Sequence, residues 1–118
     1  MRVVVTGGRD YSDYAFLARE LDRLGPIEAL AHGAAPGADA LASRWCYERK
    51  VDVHAYGALW GTYGPSAGPK RNLEMLTDFK PDLVVGFPSK DSRGTWSCLR
   101  KSVELGIGSI SFNAPADS

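Results

Sequence analysis

Apolar and polar positions along this chain alternate between two rhythms. Arg2 to Thr6 is a short β-branched run, apolar without interruption at Val3, Val4 and Val5. Strands covered on both faces read this way, and two covered faces imply a parallel sheet with helices on each side. The period then changes: Tyr14, Leu17, Leu21 and Leu24 recur at helical spacing, with Ser12 or Asp13 placed to cap the first turn. Gly25-Pro26 stops that helix, because glycine accepts positive φ and proline cannot continue it. A second strand is expected over Ile27 to His32. After a glycine-rich turn, a helix over Ala38 to Lys50 presents Ala38, Leu41, Ala42 and Trp45 on one face. Val51 to Ala55 alternates, as a strand nearer a sheet edge does, and Pro81 to Phe87 reads as a fourth strand. Gly94 to Leu105 predicts a last helix with Trp96, Leu99 and Val103 in register, closed by Gly106. Ile107 to Phe112 is the final strand, and residues 113–118 read as a frayed tail.

One stretch resists this scheme. Residues 56–69, YGALWGTYGPSAGP, hold four glycines and two prolines and predict a long loop of the kind used as a lid or binding segment. A short helix over Lys70 to Phe79 follows, with Leu73, Leu76 and Phe79 inward. The order β-α-β-α-β, long segment, β-α-β describes a Rossmann-like, doubly wound α/β fold. Right-handed crossovers make about five mostly parallel strands in the order 3-2-1-4-5 the economical arrangement, with helices on both faces. Residues 1–112 are expected to form one domain.

Composition narrows the function classes. The 118 residues suffice for one core without metal or disulfide staples, and 44% apolar with 24% charged is ordinary for a soluble domain. Lys plus Arg equals Asp plus Glu at 14 each, which argues against a nucleic-acid partner while leaving room for a locally basic pocket. The absence of a leader pattern and of a long apolar run argues against secretion and membrane spanning, so a cytoplasmic protein is expected. Cys46 and Cys98 lack a CxxC spacing or a neighbouring histidine, so two buried thiols and no metal site are expected.

In a parallel α/β sheet, ligands bind outside the carboxyl ends of the strands. Those ends here carry Gly7-Gly8-Arg9-Asp10, then Gly33 through Gly37-Ala38-Asp39, then Pro88 through Arg93-Gly94-Thr95, each leading into a helix. Helix N-termini present unpaired N–H groups and a positive dipole end, and glycines admit a phosphate oxygen where a Cβ would intervene. A phosphate site follows on physical grounds. Each residue also has a plainer reading. Gly7 and Gly8 can serve only a turn, with Gly8 at positive φ. Arg9 and Asp10 can form a surface ion pair, His32 can be a satisfied polar group, and Asp39 can balance its own helix. Adjacent cations Lys70 and Arg71 before Asn72, at a helix start, favour a nearby anion. Trp60 and Tyr63 can stack on a base or pin the long loop. Neither GxGxxG nor GxxxxGK[ST] is present, and no acidic residue ends the second strand, which disfavours a standard NAD oxidoreductase and a P-loop NTPase.

The segments VVVTGGRDY, HGAAPGAD, Trp60 through GPKRN, and PDLVVGFP, in this order, resemble the YspA-like family of the SLOG superfamily across residues 1–112. That superfamily includes the Lonely Guy phosphoribohydrolases and part of the DNA-processing protein A. The resemblance implies a Rossmann-like fold holding a nucleotide or nucleotide-derived ligand. It assigns the pocket to Gly7, Gly8, Arg9 and Asp10; to His32, Gly33, Gly37, Ala38 and Asp39; to Lys70, Arg71 and Asn72; and to Arg93, Gly94 and Thr95, and Trp60 joins them as a ring able to stack on a base. It also implies a homo-oligomer, expected as a dimer. The Lonely Guy pattern PGGxGT followed by a glutamate is incomplete, since Gly94-Thr95 continues into Trp96-Ser97-Cys98 with no carboxylate at the expected place. Asp10, Asp39 or Asp91 could replace it, and nothing in the sequence positions them. The reading therefore leans away from an enzyme and towards a binding module that senses or sequesters a nucleotide. The two alternatives are a Lonely Guy-like nucleoside 5'-monophosphate phosphoribohydrolase, which is an N-glycosidic hydrolase of nucleotides, and single-stranded nucleic-acid binding.

Overall fold

The computed structural model describes residues 1–90 and 92–112. Strands β1 (Arg2–Gly7), β2 (Ala29–His32), β3 (Asp52–Ala55), β4 (Leu83–Phe87) and β5 (Gly108–Ser111) form one parallel sheet in the order β3-β2-β1-β4-β5. This is the doubly wound order expected from the apolar runs. β1 lies at the centre, and Val3, Val4 and Val5 are completely buried, covered from both sides as their unbroken apolar pattern demands. The expected edge strand β3 is fully at the edge and exposed along its length.

Helices α1 (Tyr14–Arg23) and α2 (Ala38–Arg49) pack on one face, α4 (Ala67–Asp78) and α5 (Arg93–Glu104) on the other. Asp13 caps α1, its Oδ1 accepting the Phe16 N–H at 3.1 Å, and Leu17 and Leu21 reach the core. Burying such a leucine contributes about 1.5–3 kcal/mol. Cys46 and Cys98 are free and buried, one in each half of the core. Among the described residues, no helix is long and apolar enough to cross a membrane.

Three expectations need correction. The 56–69 stretch is not a plain loop: it contains a helical turn, α3 (Trp60–Tyr63), and a 3-10 turn over Gly64–Ser66. The helix expected from Lys70 begins at Ala67, and Pro69 is tolerated because the first turn needs no intrahelical N–H donor. Leu73, Trp96 and Val103, expected inward, are 44%, 44% and 66% exposed. The inward face of α5 is Thr95, Cys98, Leu99 and Ser102. This helix lies close to the sheet: a Cβ on Gly86 would approach a Leu99 methyl carbon at 2.9 Å. The bare Gly86 makes room for Leu99 and Thr95, and the other inward residues, Cys98 and Ser102, are small. Residues 113–118, expected as a tail, lie outside the described residues.

Candidate functional site

The loops after β1, β2 and β4 are packed on one another through their glycines. Gly7 and Gly8 have no positive φ, so the turn itself does not require them, contrary to the expectation for Gly8. What requires them is proximity. A Cβ on Gly7 would lie 2.7 Å from the Phe87 carbonyl oxygen, and one on Gly8 would strike the Ser89 side chain. Gly37 needs both freedoms, since its φ is +79° and a Cβ there would lie 2.6 Å from the Arg9 backbone. The Gly8 carbonyl accepts the Tyr11 N–H at 3.2 Å and the Ala38 N–H at 3.1 Å. The first amide of α2 is thereby turned to the protein rather than to a ligand. α5 differs: among the described residues no side chain caps its N-terminus, and Arg93, Gly94 and Thr95 border an open cleft. The first amides of a helix have no acceptor within it, so this end is suited to an anion.

Behind these loops lies a buried polar network. Asp39 is 5% exposed, and its Oδ2 accepts the Gly33 N–H at 2.9 Å and the Ala35 N–H at 3.3 Å. The same carboxylate thus shapes the β2 loop and borders the cleft. Burial pushes its pKa up to about 6, although the two amides and the Arg71 and Arg9 guanidiniums pull it down. Arg71 donates through Nη1 to the Gly33 and Tyr56 carbonyls and through Nε to Asn72 Oδ1 at 2.8 Å. Gly33 makes this possible, because a Cβ there would collide with the guanidinium. The charge of Arg71 near a helix start is therefore met partly by backbone carbonyls, where an anion had been expected. His32 is fully engaged: Nδ1 accepts the Ala34 N–H at 2.9 Å and Nε2 meets Ser43 Oγ at 2.5 Å. Burial first, and then Arg71, lowers its pKa, which fits a neutral ring donating through Nε2.

The cleft has a volume of about 540 Å³. Of the residues singled out in the sequence, Gly7, Arg9, Asp39, Trp60, Arg71, Asn72, Arg93, Gly94 and Thr95 line it. Gly8, Gly33, Gly37 and Ala38 stand behind its wall as loop-packing positions, and His32 is held within the β2 turn. Asp10 is exposed and accepts a hydrogen bond from the Ser89 hydroxyl. Lys70 points elsewhere, 5.1 Å from the Tyr63 ring centroid, bordering a separate hollow of about 210 Å³. Thr6, Ala35, Gly68, Pro69, Ser92 and Ser97 also line the cleft and were not singled out. Ser97 was reachable from the sequence, lying one helical turn after Arg93 and Gly94. Gly68 and Pro69 belonged to the quoted GPKRN segment itself. Asp91, weighed as a replacement carboxylate, lies outside the described residues.

Among the described residues the cleft is cationic, with Arg9, Arg71 and Arg93 set against one lining carboxylate, that of Asp39. It also holds an unsatisfied group: Thr95 is 2% exposed and its Oγ1 has no hydrogen-bond partner among the described residues. Trp60, 47% exposed, forms part of the rim, with the Arg9 guanidinium 5.9 Å from its ring centroid. The arrangement can hold an anion, neutralise it and keep one carboxyl beside it.

Two comparisons with known proteins bear on this chain. The gene 61 protein of Mycobacterium phage D29 is 35% identical over 120 aligned positions, which cover 94% of this chain and 95% of that protein. The model of the YspA, cpYpsA-related SLOG family matches residues 1–63, from β1 through α3, and so includes the first two of the three packed loops. The fold, both loops and the end-to-end similarity agree, and the chain belongs to the YspA, cpYpsA-related SLOG family.

Proposed function

We propose that this protein binds a nucleotide or nucleotide-derived anion in the cleft at the carboxyl edge of the sheet. The observation that carries the reading is the cleft's charge. Among the described residues, an α5 N-terminus without a side-chain cap and three arginines face one carboxylate in a volume suited to a small molecule. Membership of the SLOG family, which suggests handling of nucleotide-related ligands, supports it. The phosphate end is assigned to Arg93, Gly94 and Thr95, with Arg71 and Arg9 completing the positive field. Isothermal titration of the purified chain against mononucleotides, NAD, ADP-ribose and cyclic nucleotides tests this. Micromolar binding that weakens steeply with salt is the expected result. No heat with any of them, and no ligand released on denaturing the purified protein, would remove the reading.

A hydrolytic second reading rests on Asp39. This carboxyl borders the cleft and has its pKa raised towards neutrality, the condition for a general base acting on water. Asp39 thus supplies the carboxylate that the sequence pattern left missing. Free base released from a nucleoside monophosphate by the native chain, and not by Asp39→Asn, would establish it. Intact substrate after prolonged incubation would leave binding alone.

A further inference from the structure

Five arginines stack on aromatic rings in this protein: Arg2 on Phe79, Arg9 on Trp60, Arg19 on Phe16, Arg44 on Tyr14 and Arg49 on Trp45. Four of these guanidiniums are committed elsewhere as well. Arg2 donates to the Phe79 carbonyl, Arg19 to Glu20, Arg44 to Glu48 and Arg49 to Asp22. Arg9 alone has no hydrogen bond or ion pair among the described residues. Its ring partner is also unusual, because Trp60 sits on a four-residue helical turn yet is held in place from one side. Gly68 is buried in the first turn of α4, and a Cβ there would lie 3.1 Å from a Trp60 ring carbon. The outer end of the indole meets the bare Gly68 backbone, while nearly half of the residue stays exposed at the cleft rim.

We infer that Trp60 and Arg9 form a clamp for a flat heteroaromatic ring, and that the ligand of this cleft is a nucleoside phosphate whose base enters between them. This rests on the proposed binding of an anion in the same cleft and adds to it the end of the ligand opposite the phosphate. A ring sandwiched at ordinary contact distance on both faces needs about 7 Å between indole and guanidinium. The present separation is 5.9 Å, so Arg9 must withdraw by roughly an ångström, a small motion for an exposed side chain with no other partner among the described residues. The guanidinium then covers one face of the base while its charge remains near the phosphate. Stacking reads only the flat face, so all four common bases are admitted, the larger purines more tightly.

The test is titration of AMP, UMP and ribose 5-phosphate into the native chain, Trp60→Phe and Trp60→Ala, with thermal denaturation of each variant to establish folding. Native protein should bind AMP about 5- to 150-fold more tightly than ribose 5-phosphate, the span given by loss of one base–aromatic stack. Trp60→Ala should bring AMP down to the level of ribose 5-phosphate and leave ribose 5-phosphate itself unchanged. Trp60→Phe should keep most of the difference, and the quenching of tryptophan emission by AMP should disappear in it. Equal binding of AMP and ribose 5-phosphate to the native chain would overturn the clamp while leaving the anion site standing. An AMP preference that survives Trp60→Ala would overturn it as well. Binding of none of the three compounds would overturn the clamp, and the anion site falls with it when NAD, ADP-ribose and cyclic nucleotides also give no heat.

Discussion

Replacing Asp39 by asparagine is expected to stabilise this protein, and to do so only above acidic pH. The carboxyl is 5% exposed, and burial raises its pKa from 3.8 to about 6 against the pull of two backbone amides and two arginines. An ionised Asp39 is therefore worse placed in the folded chain than in the unfolded one, where an aspartate titrates near ~3.9. The folded state binds more protons between these values, so the contribution of this group is fully present below about pH 4. It is lost as pH rises through about 6. A difference of about 2 units corresponds to about 3 kcal/mol withheld at pH 8. Asparagine keeps an oxygen for the Gly33 and Ala35 amides and carries no charge to desolvate. Urea unfolding of both chains from pH 4 to pH 8 reads the difference. Asp22 and Glu48, whose pKa values are lowered chiefly by hydrogen bonds from Arg49 and from Tyr14 respectively, weaken the fold on acidification equally in both chains and cancel. The variant should be the more stable at pH 8 by up to about 3 kcal/mol, with the gap closing towards pH 4. A variant whose deficit grows as pH rises above about 4 would show that attraction to Arg71 and Arg9 outweighs desolvation, and would refute the argument.

Two further substitutions probe the loops. Gly37→Ala forces an L-residue to φ +79° and sets its Cβ against the Arg9 backbone, so a loss of at least about 1–3 kcal/mol is expected. It should appear as a lower melting temperature in calorimetry, and an unchanged value would mean that the β1 and β2 loops move apart freely. Arg71→Lys cannot reach the Gly33 and Tyr56 carbonyls and Asn72 together, and should destabilise by about 1–3 kcal/mol even without ligand. Equal stability in urea would assign Arg71 to the ligand rather than to the fold.

The sheet was legible because its information is local and coarse. Unbroken apolar runs at β1 and β4 mark strands covered twice, and the alternation of strand and helix with right-handed crossovers leaves one economical order. The loops that meet at the carboxyl edge could be placed for the same reason. What the sequence hid is which partner each residue chooses once the loops meet. Gly7, Gly8 and Gly37 look like phosphate-facing glycines and serve contact between loops. Lys70 and Arg71 are adjacent and alike in charge, yet the helical step of about 100° between them sends one to Tyr63 and the other to two carbonyls. The outward turn of Trp96 and Val103 was hidden too, since counting apolar side chains cannot detect a helix that approaches the sheet through Thr95 and Ser102.

That division of partners bears on how the cleft works. Arg71, the deepest of the three arginines, is already fixed by the protein's own carbonyls, and Asp39 is fixed by the protein's own amides. Ordering them costs nothing further when a ligand arrives, so the base of the cleft is preorganised. Arg9 and Arg93 are exposed and Trp60 is half exposed, so the rim is where ordering occurs on binding. Affinity for the anion should then depend on the inner layer, and discrimination between ligands on the outer one. The glycines connect the two: by letting backbone lie on backbone, they hold the inner arginine and carboxylate within one small volume while leaving the rim free to adjust.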